Sequence, residues 1–262
     1  MVAQDSAPLG APCWVDLMTS DTTRARAFYE GVLGWQALEA NEEFGGYFMF
    51  MNDGVPVAGA MANHSEGAIP DLWSVYLRVD DAEATLSRAT QLGGHVMVPA
   101  MRVGDLGTMA VIADPVGAGI GIWAPIDFQG FGAVAEPGTP VWFELHTSDY
   151  DVAIDYYRDV FDWTTEVMSA TPEFRYSVSK HGESSVAGVY DARVDLGDAG
   201  CSFWTVYFGV EDVDDALRAV GALGGSVVSP AANTPYGRMA TVADPTGTEF
   251  RIMQELGDIV AS

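Results

Sequence analysis

The chain has 262 residues, with 37 acids against 12 bases, and its net charge of −25 would repel phosphate backbones and anionic lipid surfaces. Nucleic-acid and membrane partners are therefore not expected, and a length beyond one typical domain predicts two domains that together bury roughly 75% of the unfolded surface. Cys13 and Cys201 stand in no CxxC spacing, so neither a disulfide framework nor a thiolate cage is expected and a cytoplasmic setting suits them.

The opening MVAQDSAPLGAPCW holds no basic segment followed by an apolar stretch, and no apolar run is long enough to span a bilayer. In WVDLMTSD, from Trp14 to Asp21, Val15 and Leu17 alternate with Trp14, Asp16 and Met18, the period of a strand with one packed and one mixed face. Ser20-Asp21 can cap a helix that carries Ala25, Phe28, Tyr29, Val32 and Leu33 at helical spacing, a stripe expected to cover Val15 and Leu17. Short strands follow, among them VAGAM from Val57. A second unit opens at Leu72, where Val75, Leu77 and Val79 alternate with Ser74, Tyr76 and Arg78. Asp80-Asp81 starts its helix and Gly93-Gly94 suits the left-handed cap that ends it. HVMVP, TMAVIAD, the turn DPVG and GAGIGIW close the unit, with Trp123 in the last strand.

The stretch from Ala124 to Thr139 has no clear period. We place a linker at 127–139, between domains at 11–126 and 140–256, because the whole pattern then recurs at an offset near 130. WFELHTSD sets Phe143 and Leu145 against Trp142, Glu144 and His146. VAGVY follows at Val186, and FWTVYFGV from Phe203 brings Thr205 and Tyr207; Gly224-Gly225 then ends a helix, and MATVADPTGTEFRIM brings Glu249, Arg251 and Met253. Each half divides again into two strand, helix, three-strand units. The expected class is α+β: four βαβββ units in two tandem domains, each a cupped, barrel-like mixed sheet with its helices outside.

A strand ending in an acid-capped helix with FYxxxLGW, and a later DPxG before the closing strand, resemble the vicinal oxygen chelate superfamily, which includes glyoxalase I, bleomycin-resistance proteins and extradiol dioxygenases. The resemblance runs from Ala11 to Gln254 and is similar in particular to actinobacterial two-domain glyoxalase-like proteins. Metal-dependent members hold their cation at positions that here fall on Trp14 and Trp142, on Ser74 and Thr205, on Gly121 and Arg251, and on Ala or Val near VAGAM and VAGVY. An indole offers no lone pair to a cation, and none of these positions holds His, Asp or Glu, so no divalent metal is expected in either half. His64, His95 and His181 fall in loops or strand edges and read as structural or solvated.

Strand parity turns Asp16 and Glu144 away from the packing helices and into the cups. Trp14, Met18, Ser74, Tyr76, Arg78 and Trp123 are expected to line the first cup. Trp142, His146, Thr205, Tyr207, Glu249, Arg251 and Met253 are expected to line the second. A carboxylate among aromatic rings loses hydration, which raises its pKa unless a cation such as Arg78 or Arg251 is near. Asp16 and Glu144 fit either structural acids or a proton carrier, and Trp14 and Trp142 fit either core packing or a stacking wall. The function expected is a metal-independent tailoring enzyme for a flat, apolar, aromatic polyketide-like secondary metabolite, working by cyclisation, dehydration or ketone reduction. Asp16 or Glu144 would move the proton, and Tyr76, Tyr207 or His146 would polarise a carbonyl. The alternatives are a drug- or metabolite-binding protein without chemistry and, less favoured, a metal-dependent lyase or dioxygenase. No GxSxG, GxxxxGK[ST] or strand-linked GxGxxG occurs, so no cofactor is predicted, with an unconventional NAD(P)H site left open. The chain can complete both cups alone, as a monomer or in a homodimer.

Overall fold

The computed structural model describes residues 6–197 and 200–254. The expected end of the second domain, at residues 255 and 256, lies outside the described residues. The first unit is β1 (Pro12–Thr19), α1 (Thr22–Leu33), β2 (Gln36–Ala37), β3 (Phe48–Asn52) and β4 (Val55–Ala62). The second is β5 (Leu72–Arg78), α2 (Ala82–Gln91), β6 (His95–Val103), β7 (Gly107–Ala113) and β8 (Gly119–Pro125). The third is β9 (Pro140–Thr147), α3 (Tyr150–Phe161), β10 (Thr164–Ala170), β11 (Arg175–His181) and β12 (Ser184–Asp191), followed by a short α4 (Arg193–Leu196) that the sequence pattern does not announce. The fourth is β13 (Phe203–Gly209), α5 (Val213–Ala222), β14 (Ser226–Thr234), β15 (Gly237–Ala243) and β16 (Glu249–Gln254).

Asp21, Asp81, Asp149 and Asp212 each accept a backbone N–H three residues on, which fixes where all four long helices begin. Each half forms one eight-stranded sheet, in the order β2-β3-β4-β1-β5-β8-β7-β6 and its repeat β10-β11-β12-β9-β13-β16-β15-β14. The two units of a half join where β1 meets β5 and β9 meets β13, both antiparallel, while β4 and β8 run parallel to their neighbours β1 and β5. Each sheet is therefore a cup whose edge strands do not pair with each other.

The helices lie on the outer face of each cup, and the two outer faces meet. α1 packs on α5 and α2 on α3. The apolar stripe of α1 does more than cover its own strand: Phe28 and Tyr29 sit 6.2 Å and 5.6 Å from Phe250 of the other half. The Tyr29 hydroxyl donates to Asp244 at 3.1 Å and accepts from the Trp73 indole at 3.0 Å. The repeat reproduces this with Tyr157, Asp114 and Trp204, at 3.2 Å and 2.8 Å. The tyrosine of each helix thus bonds the turn aspartate of the opposite half. No described helix is long and apolar enough to cross a membrane.

Candidate active site

Parity places Asp16 and Glu144 as expected. Asp16 sits on β1 opposite Gly59 of β4 and Ser74 of β5, and Glu144 sits on β9 opposite Gly188 of β12 and Thr205 of β13. In the first cup, one Asp16 oxygen accepts from the Trp14 indole at 2.9 Å and from Tyr47 at 2.8 Å, with the Tyr76 hydroxyl also turned toward it. Burial raises the Asp16 pKa, and these donors only partly offset it. Arg78 does not help: its guanidinium donates to the Ala7 carbonyl at 2.6 Å.

Glu144 meets the stated exception to the expected rise, because a cation stands beside it. Burial pushes its pKa up, but His146, Arg251 and Tyr207 together outweigh that and hold it below the usual carboxylate range. Tyr176 and Tyr207 each donate to it at 2.8 Å, His146 Nε2 lies 2.8 Å from Oε1, and Arg251 lies 3.3 Å from the same oxygen. Arg251 also donates to the Tyr207 hydroxyl and stands 3.2 Å from the imidazole. Trp142 donates to Tyr176 at 3.0 Å, one step removed from the acid. The difference between the cups follows from two residues. His146 stands where the first half has Met18, and Arg251 stands where it has Gly121, whose missing side chain leaves room for the Tyr76 ring.

The structure brings Trp14, Asp16 and Tyr76 into one cluster and Trp142, Glu144, His146, Tyr207 and Arg251 into another. Ser74 and Thr205 pair directly across the sheet with Asp16 and Glu144, and Met18 lies further along β1, paired with Leu72. Trp123 binds the Phe128 carbonyl through its indole at 2.9 Å, and Met253 pairs with Gly209 and Met239 at the far end of the second sheet. Glu249, expected inside, is exposed at the start of β16. His64, His95 and His181 are exposed, as read. Tyr47 and Tyr176 were not singled out from the sequence. The repeat contained the signal, because the offset that pairs Val57 with Val186 also pairs these two tyrosines.

The first cup is closed at its Trp14 end by the chain itself. Phe128 and Phe131 of the linker place their rings 4.8 Å and 5.5 Å from the Trp14 ring, and the Phe131 amide donates to the Cys13 carbonyl. The wall that Trp14 offers is thus taken by phenylalanines. At the other end the second cup is rimmed by Phe174, Tyr190 and Phe203, with Phe203 stacked on the His146 ring at 4.8 Å. A cavity of about 200 Å³ lies elsewhere, at the seam between the halves, and one of about 490 Å³ lies beside α2 and β6.

A divalent cation finds poor ligands at the positions the fold uses for one. They carry indoles at Trp14 and Trp142, hydroxyls at Ser74 and Thr205, Gly121, and a guanidinium at Arg251 already paired with Glu144. No group of three or more His, Cys, Asp or Glu side chains converges among the described residues.

The family model of the Glyoxalase/Bleomycin resistance protein/Dioxygenase superfamily matches residues 13–122 and again 139–252. A putative glyoxylase, CFP32, of Mycobacterium tuberculosis is 36% identical over 252 residues, covering 94% of this chain and 95% of the relative. The anthracycline biosynthesis protein DnrV of Streptomyces peucetius is 34% identical over 265 residues, covering 94% and 93%. Among solved structures, a Mn(II)-bound glyoxalase from Novosphingobium aromaticivorans superposes with a TM-score of 0.64 at 13% identity, covering 95% of this chain and 83% of that one. At that identity the likeness is one of fold.

Proposed function

This chain belongs to the Glyoxalase/Bleomycin resistance protein/Dioxygenase superfamily, and because that fold carries many chemistries, we propose an activity from its own cups: proton-transfer tailoring of a flat, mostly apolar aromatic metabolite. The relationship to a protein of anthracycline biosynthesis supports the metabolite class. The single observation that carries the chemistry is a buried carboxylate, Glu144, held among two phenols, an imidazole and a guanidinium.

Glu144 is ionised at neutral pH because its partners hold its pKa down, so it can orient His146 and stabilise an imidazolium. His146 is the proton carrier, and Tyr207, polarised by Arg251, turns its single O–H from Glu144 to a substrate carbonyl oxygen as negative charge develops on it. Cyclisation and dehydration of a polyketide-like ring need only these moves. Asp16 has a raised pKa but no imidazole within its cluster, so it serves the first cup as a carboxyl group held by Trp14 and Tyr47. The side chains at the fold's cation positions support a route without a resident divalent metal.

Incubation with polycyclic aromatic ketones, followed by mass spectrometry, tests this. Glu144→Gln and His146→Gln should each cut turnover by roughly 100-fold or more while the fold stays intact. Unchanged turnover in both variants would refute the mechanism, and a parent protein that returns every bound ligand unchanged would make it a binding protein.

A further inference from the structure

The strand neighbours of His146 differ from those of Met18 in one consistent way. Met18 is flanked across the sheet by Met61 and Leu72, whereas His146 is flanked by Tyr190 and Phe203. A third ring of this group, Phe174, lies at the tip between β10 and β11, two residues before Tyr176. Phe174 stacks on Tyr176 at 5.5 Å with only 12° between the rings, and it lies 5.6 Å from Tyr190. Phe203 lies nearly parallel over the imidazole, at 11°, and Tyr190 meets the same imidazole edge-on.

These rings gain little from the core. Phe174 is 42% exposed and Phe203 43% exposed, while His146 beneath them is 5% exposed. An exposed aromatic cluster over a buried titratable pair has the makings of a ligand mouth rather than of a packing element. Tyr190 is further fixed by its bond to Asp195 of α4 at 2.7 Å, so the short helix that the first half lacks holds one side of the mouth in place.

We propose that the two cups have divided their work: substrate enters the second cup alone, and Phe174, Tyr190 and Phe203 form a stacking mouth that selects planar polycyclic aromatic rings. Phe203 is the gate, because its ring covers the face of His146 and has to swing aside or sandwich the ligand for the imidazole to be reached. The first cup, closed by Phe128 and Phe131 at one end and rimmed by methionine and leucine at the other, supports the fold. This assignment rests on the proposed function for its metabolite class, but its test reads binding and not turnover.

A dihydroxyanthraquinone is the probe, titrated by fluorescence quenching against a saturated, non-planar polycyclic ketone of similar size. The triple variant Phe174→Gly, Tyr190→Met, Phe203→Leu removes all three rings of the mouth. It should bind the planar probe roughly tenfold more weakly or worse, since each stacked ring contributes a few-fold. Met61→Ala with Leu72→Ala should leave binding unchanged. Phe174→Ala alone, at an exposed hairpin tip, keeps the test valid if the triple variant folds poorly, and should weaken binding a few-fold. Equal binding of planar and saturated probes, parental affinity in the Phe174, Tyr190 and Phe203 variants, or loss of affinity in the Met61 and Leu72 variant would overturn the assignment. A parent that binds through this mouth yet leaves every ligand unaltered upholds the mouth and refutes the catalytic function.

Discussion

In the second cup the charge of Glu144 is held first by His146 and then by Arg251. Without Arg251, Glu144 would face burial with only neutral donors and His146, much as Asp16 faces burial with Trp14 and two tyrosines, and the pKa of Asp16 is raised. Because the folded-state pKa of Glu144 is depressed, its ionisation adds stability that is present above the unfolded carboxylate pKa and lost as pH falls through the folded value. Arg251→Met should therefore shift the acid limb of the kcat/KM profile to higher pH and weaken the fold at neutral pH. Measured pH–rate profiles check this, and an acid limb unmoved by the substitution would show that Glu144 is not the titrating group. Removing one partner of a fully buried pair typically costs about 3–5 kcal/mol; Arg251 keeps 25% of its side chain exposed, so the loss should be smaller but still visible in a denaturant titration.

At the scale of the element, the cups depend on glycines that face the acids across the sheet. Gly188 of β12 stands opposite Glu144, and a methyl group there would collide with the Tyr176 hydroxyl and press on the Trp142 indole. Gly59 of β4 stands in the same relation to Asp16 and Tyr47. Gly188→Ala should displace Tyr176 from Glu144, cost about 1–3 kcal/mol of stability by overpacking, and lower kcat at least as much as it raises KM. The comparison with Gly59→Ala separates the two cups: it should cost similar stability and leave turnover unchanged. Thermal melts and steady-state kinetics on both variants check the pair. Much of this layer was legible beforehand. Strand parity alone turns Asp16 and Glu144 inward, and acid caps such as Asp21 and Asp81 mark helix starts. Parity says nothing of a partner on another strand, which is why Tyr47 and Tyr176 escaped it and why it left open whether Arg78 or Arg251 reaches its acid. Which carboxylate receives a cation depends on side-chain reach, and Arg78 spends its guanidinium on Ala7 while Arg251 turns to Glu144.

Across the whole molecule, FYxxxLGW and DPxG turn out to be two sides of one device. The tyrosine of each motif crosses to the turn aspartate of the opposite half, and the tryptophans Trp35 and Trp163 donate to the Gly138 and Gly10 carbonyls at 2.7 Å each. Spacing within a half could not show that these motifs meet between halves. The consequence is cooperative: Tyr29→Phe strips Asp244 of a donor and the Trp73 indole of its acceptor, both in buried surroundings, and should cost about 1–3 kcal/mol. Unfolding should remain one transition, since each outer helix face is covered by the other half. Asp114 makes the same device sensitive to pH. Its carboxyl accepts from the Val116 and Ala118 amides and from Tyr157, yet burial outweighs these bonds and raises its pKa to about 6. A raised acid pKa means that the folded state binds more protons than the unfolded chain between about pH 4 and pH 6, so stability falls as pH rises through that window. The loss should total about 3 kcal/mol from this group alone. Asp114→Asn keeps an oxygen for the two amides and cannot ionise, so its stability relative to the parent should climb across the same window and level off above it. Chemical unfolding at half-unit pH steps measures that difference directly. A difference that stays flat from pH 4 to pH 7 would mean that Asp114 is charged throughout, and that the Tyr157 contact joins the halves as a hydrogen bond from a neutral phenol to a carboxylate.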